Sequence, residues 1–128
     1  MTKRDIPSSY AGAERLLGKR EYRACGYATA LQRRPDGIGL VHHHTTIVVF
    51  HPDGTATFNT RGYHTVSTKS RLNLVLRESP WRIWSERGEM RWYYTHSNFK
   101  RDHIEYRDGD RVFLCRGKGA AILEDFGQ

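Results

Sequence analysis

Between residues 22 and 60, apolar and polar positions alternate in short runs broken by turn residues. Tyr22 to Arg34 reads as a strand, with Tyr27, Thr29 and Leu31 on one face and Ala28, Ala30 and Gln32 on the other. Pro35-Asp36-Gly37 stops it. Pro presets φ, Asp bonds its own backbone, and Gly can take positive φ. Ile38 to His42 forms a second strand, with Ile38, Leu40 and His42 on one face. His43-His44 turns the chain into a β-branched run, Thr45 to Phe50, which a second Pro-Asp-Gly at 52–54 ends. Thr55 to Thr60 alternates again. This spacing predicts a four-strand meander with turns at 35–37, 43–44 and 52–54.

The period then changes. His64 to Asn73 offers Ser and Thr caps for a helix over 68–78, carrying Leu72, Val75 and Leu76 on one face. Ser8 or Ser9 can cap an earlier short helix that Gly18 closes. Gly12 weakens that helix by about 1 kcal/mol. After Pro80, Trp81–Glu86 and Met90–His96 flank Arg87-Gly88-Glu89 as a hairpin. Trp81, Ile83, Met90, Trp92 and Tyr94 form its expected core face. His103–Arg107 and Arg111–Cys115 flank a third acid-Gly turn, Asp108-Gly109-Asp110, and Ala120–Leu123 adds an edge strand or docks on the core. The sum is an α+β domain, mainly an antiparallel β meander of about eight short strands with one or two short helices. A small barrel carrying one helix fits the same pattern.

The 128 residues make one domain, 1–128, with 1–8 and 116–128 as tails. No apolar run approaches the roughly 20 residues of a membrane span. Residues 1–5 lack the apolar core of a secretion signal. Cys25 and Cys115 could pair as a disulfide, but two thiols in a reducing cytoplasm are expected. Charge changes the picture more. The net charge is +7, and sixteen of the 21 basic residues are Arg. Arg presents a planar fork that suits phosphate and stacks on aromatic rings. The implied partner is anionic: nucleic acid, a nucleotide or an acidic protein face. A codon bias toward Arg, with charges spread over a solvated surface, accounts for the same composition.

Candidate chemistry is sparse. His42, His43, His44, His51 and His64 fall close together, and imidazoles facing one another across a hairpin can bind zinc. No CxxC, HExxH or carboxylate at ligand spacing accompanies them, so no metal and no cofactor is assigned. Ser67, Ser70, Cys25 and Cys115 lack a nucleophile elbow, and no catalytic residue is assigned. A metal-independent phosphodiesterase would use His64 as acid–base, with Lys69 and Arg71 on phosphate. The acids Asp36, Asp53, Asp108 and Asp110 belong to turns. Ser67-Thr68-Lys69-Ser70-Arg71 joins hydroxyls and cations at a helix start, where an anion is favoured. The structural alternative is a Thr cap followed by two cations with solvated heads. From 81 to 107, aromatic and basic residues interleave. Trp84, Tyr93 and Phe99 can stack bases while Arg82, Arg91, Lys100 and Arg101 track phosphates. Arg82, Trp84, Arg91 and Tyr93 share the hairpin face opposite the core.

The run 29–73 resembles a pattern recurring in small proteins of bacteriophages and mobile elements. In it an R-x-D-G hairpin leads to a strand, a P-D-G turn, and a G-[YW]-x-T-x-[ST]-T-K-x-R-[IL]-N signature. That signature stands here as Gly62-Tyr63-His64-Thr65-Val66-Ser67-Thr68-Lys69-Ser70-Arg71-Leu72-Asn73. His43-His44-Thr45 departs from the Gly- or Asp-containing turn of the pattern. The resemblance implies action in the cytoplasm of a bacterial host. Its implied partner is nucleic acid or an oligonucleotide, or else a host defence complex that the protein inhibits, as anti-CRISPR proteins do.

Overall fold

The computed structural model describes residues 6–26, 28–61, 65–79, 81–87, 89–94 and 103–114, with the backbone alone for Glu86, Tyr93, Tyr94, His103 and Ile104. The elements in chain order are α1 (Tyr10–Leu17), β1 (Tyr22–Gly26), β2 (Thr29–Arg34), β3 (Gly37–His42), β4 (Thr45–Phe50), β5 (Thr55–Phe58), α2 (Val66–Val75), β6 (Trp81–Glu86), β7 (Glu89–Tyr94), β8 (His103–Glu105) and β9 (Arg111–Phe113). The class is α+β, with every strand pair antiparallel. One sheet has six strands in the order β1-β2-β3-β4-β5-β9, and the other has three in the order β6-β7-β8.

Two expected boundaries move. The strand expected over 22–34 is a hairpin, because the chain reverses at Ala28, which takes φ 52. A bulge at Gly26 brings it opposite Thr29. Alternation has the same parity on both sides of the reversal, so the two strands read as one. The second helix starts at Val66, ahead of the expected 68, because Thr65 is its cap. The Thr65 hydroxyl accepts from the Thr68 N–H at 3.1 Å. The helix ends at Val75 in a single tight turn over 76–78. The first helix starts on Ser9, whose hydroxyl accepts from Gly12 N–H, and stops at Gly18.

Cross-strand register sorts the six-stranded sheet into two faces. Leu31, Leu40, Val48 and Phe58 lie in one row, all fully buried. Ile38, Phe50, Ala56 and Val112 form the next row of the core. α1 packs on β1, β2 and β3, while α2 packs on β4 and β6. From the second sheet, Trp81, Ile83, Met90 and Trp92 join the core as the alternation predicts. Tyr94's side chain lies outside the described residues. Trp92 meets Phe58 edge-to-face at 5.2 Å and joins the two sheets. Its indole N–H donates to Asp110 at 2.8 Å.

The acids of the 108–110 turn thus do more than turn the chain. Asp108 accepts from the Thr60 N–H and the Tyr106 hydroxyl, both at 2.9 Å. Burial, with Asp108 beside it, pushes the Tyr106 hydroxyl pKa up. The opposite face of the large sheet carries the row Tyr22, Gln32, Gly39, Val49, Thr57 and Arg111. Apart from Gly39, these residues are half-buried or exposed.

Candidate binding surfaces around the histidine turn

The hairpin face proposed from sequence is assembled in part. The register Arg82↔Tyr93 and Trp84↔Arg91 puts these four positions on one face of the small sheet. Trp84 is 63% exposed there. Arg82 is occupied differently. Its guanidinium donates to the carbonyls of Leu76, Ser79 and Trp81 at 2.8, 2.9 and 2.6 Å, and to Arg77 at 3.3 Å. It closes the C-terminal turn that follows α2, where carbonyls lack helical partners and a cation suits the dipole. Arg91 pairs with Glu89 at 3.1 Å. Glu105 lies opposite Arg91 on β8, so the face alternates in sign. Lys100 and Arg101 lie outside the described residues, as do the side chain of Tyr93, Phe99 and His64.

Lys69 and Arg71 are the fourth and sixth residues of α2, both half-buried. Arg71 lies close enough to His42 to act on its charge.

The histidines divide: the rings of His42 and His43 lie 4.4 Å apart, while His51 stands elsewhere. His42 is the last residue of β3 and is buried, 4% exposed. His43, in the turn, takes φ 57, and its N–H donates to the Ala28 carbonyl at 2.7 Å. Two non-glycine residues in the left-handed region thus flank His42, each costing on the order of 1 kcal/mol or more. His51 is held elsewhere, by the Asp36 carbonyl at 2.9 Å and the Thr57 hydroxyl at 2.7 Å. His51 does not face His42 across the hairpin, because the two rings leave opposite faces of the sheet. Among the described residues, no three His, Cys, Asp or Glu side chains come together as a metal site.

Three hollows meet at His44. One, of about 430 Å³, lies on the half-exposed sheet face between Arg34, Asp36, His44, Thr46, His51, Asn59 and Arg61, with Val49 and Thr57 as its floor. Gly39 helps build it: a Cβ there would come within 2.9 Å of the Arg34 Cδ and 3.1 Å of the Thr46 methyl. Without one, the Arg34 stem can lie across β3. Arg34 also pairs with Asp36 at 3.0 Å, which holds that carboxyl below its ordinary range. A second hollow, of about 340 Å³, continues along the same face past Ala24, Ala30 and Val41 to Tyr22. Tyr22 is 60% exposed. The third, of about 430 Å³, opens on the helix side, between the histidine turn and Thr65, Ser67 and Thr68.

In that third hollow the His42 Nε2 lies 2.8 Å from the Ser67 Oγ. Its Nδ1 lies 3.3 Å from the Thr29 hydroxyl. With the proton on Nδ1, facing the Thr29 hydroxyl, Nε2 is the acceptor. In that tautomer Nε2 accepts from the Ser67 hydroxyl. Burial, followed by His43 and Arg71, lowers the His42 pKa and keeps the ring neutral. The sequence reading passed over this pair because its members stand 25 residues apart. One signal was present: His42 shares the core face with Ile38 and Leu40, and a polar side chain there needs partners.

Comparison with protein-family models, curated proteins and solved structures finds no match to this chain. Function therefore rests on the geometry.

Proposed function

We propose that this protein binds single-stranded nucleic acid on the half-exposed face of its six-stranded sheet. The observation that carries this reading is the hollow between Arg34, His44, His51 and Arg61, continuous with a trough that ends at exposed Tyr22. Guanidinium groups beside hydroxyl and amide groups suit a phosphate backbone, and an exposed tyrosine on a sheet offers a base a stacking partner. Arg111 stands on the same face, paired with Asp53 at 2.6 Å. The net charge of +7 supports an anionic partner. In the setting that the signature's resemblance implies, the strand would belong to a phage or its bacterial host.

A second surface has one observation in its favour, the 63% exposure of Trp84 beside Arg91. Titration with a labelled single strand at several salt concentrations separates the two. On the proposed face, Arg34→Gln with Arg61→Gln should reduce the salt slope by more than one unit, at about 0.7 per phosphate contact. Tyr22→Ala should weaken binding by about 1–3 kcal/mol with little change in slope. If Trp84→Ala and Arg91→Gln produce these effects instead, the hairpin face is the site. Absence of binding by the wild type at low salt would remove the reading, and inhibition of a host protein would take its place.

A further inference from the structure

We propose that Ser67 is a nucleophile activated by His42, and that the hollow above it accepts a small carboxylic ester. This goes beyond strand binding and uses the other side of the sheet.

The chain of bonds is continuous. The Ser67 hydroxyl meets His42 Nε2 at 2.8 Å, inside the reach a general base needs. The other ring nitrogen faces the Thr29 hydroxyl at 3.3 Å, and a proton held there leaves Nε2 basic. A base oriented by a third group is the arrangement that nucleophilic hydroxyls require. Ser67 is the second residue of α2 and lines the hollow. The first N–H groups of a helix have no intrahelical partner and favour negative charge. The N–H groups of Val66 and Ser67 are thus suited to the oxygen that becomes anionic in acyl transfer. Ile47, Thr45, Thr60 and Thr65 border the same hollow, an uncharged set that fits a small neutral acyl group.

The chemistry balances without a cofactor. The Ser67 oxygen bonds to the carbonyl carbon as its proton passes to His42 Nε2. The tetrahedral species expels the alcohol, which takes that proton, and an acyl-serine remains. Water then gives its proton to His42 and attacks the acyl carbon. The Ser67 oxygen leaves and recovers the proton, so ester and water yield acid and alcohol.

The test needs no natural substrate and no nucleic acid, so strand binding and acyl transfer can fail separately. The protein is treated with an alkyl fluorophosphonate, in which the serine oxygen bonds phosphorus and fluoride leaves. Intact mass should show one adduct, and peptide mapping should place it on Ser67. Mapping the wild type decides this even where a variant fails to fold. Ser67→Ala should take no label, and Ser70→Ala should label as the wild type does. His42→Gln should slow labelling by about 100-fold or more, the size of general-base assistance. With p-nitrophenyl acetate, nitrophenolate release should fall in Ser67→Ala. No adduct on the wild type would overturn the proposal. So would a label on another residue, equal labelling of His42→Gln, or ester cleavage that persists in Ser67→Ala.

Discussion

Arg82 offers the sharpest test of the fold, because sequence and structure give it different work. On the hairpin face it reads as a phosphate contact. In the structure its guanidinium spans the carbonyls of Leu76, Arg77, Ser79 and Trp81. Those groups belong to the turn joining α2 to β6, where Ser79 is 5% exposed. A hydrogen bond involving a charged group contributes about 1.5–3 kcal/mol, and bonds to one donor group are not additive. Replacement by Met keeps much of the apolar stem and removes every donor. Water can reach part of the turn, so the loss should be about 2–4 kcal/mol, near the upper half of single-site effects. Lys can satisfy some of these carbonyls but lacks the fork, so Arg82→Lys should lie between Met and wild type. Urea unfolding followed by tryptophan fluorescence measures both. With a slope of about 1–3 kcal/mol per molar urea, the Met variant's midpoint should fall by roughly 1 M or more. Trp84→Ala, on the same strand with its side chain exposed, should shift the midpoint by a much smaller amount. Equal midpoints for Arg82→Met and wild type, together with weaker strand binding, would refute the capping role and restore Arg82 to the binding surface.

Gly37→Ala should cost about 3 kcal/mol or more, because the glycine has φ 151 and a Cβ would fall 1.9 Å from the Phe50 carbonyl oxygen. Gly54→Ala, at φ 91 with nothing within 4 Å, should cost only about 1 kcal/mol, and thermal melts of the two variants check the difference. His42 predicts a pH dependence. Its folded pKa lies below the ordinary 6.5, so the unfolded chain binds more protons as the medium acidifies. Its contribution is complete above about pH 6.5 and is lost as pH falls through the folded value. Asp36 and Asp53 act lower, below their ordinary 3.8. Urea melts between about pH 7.5 and pH 5 should show the loss, and His42→Gln should flatten it.

Local chemistry made the meander legible. Pro-Asp-Gly turns act over three or four residues, and alternation with period two marks a sheet face wherever one side is buried. The same reasoning found the core side of the Trp81–Trp92 hairpin and the hydroxyl-capped helix. The reversal at Ala28 escaped it, since no Gly or Asn at that position announced a left-handed residue. Sequence identified which strand and helix residues could share a face, and hence that Arg82 and Trp84 lie together. Tertiary structure decided what each side chain meets there. The turn after α2 turned Arg82 into a cap, and Glu89 took Arg91. It also brought together Ser67 and His42, and separately Arg34 and Arg61, which no local pattern connects. Backbone preferences act between near neighbours in the chain. Partners for buried or charged groups are chosen in space, after the sheet has closed.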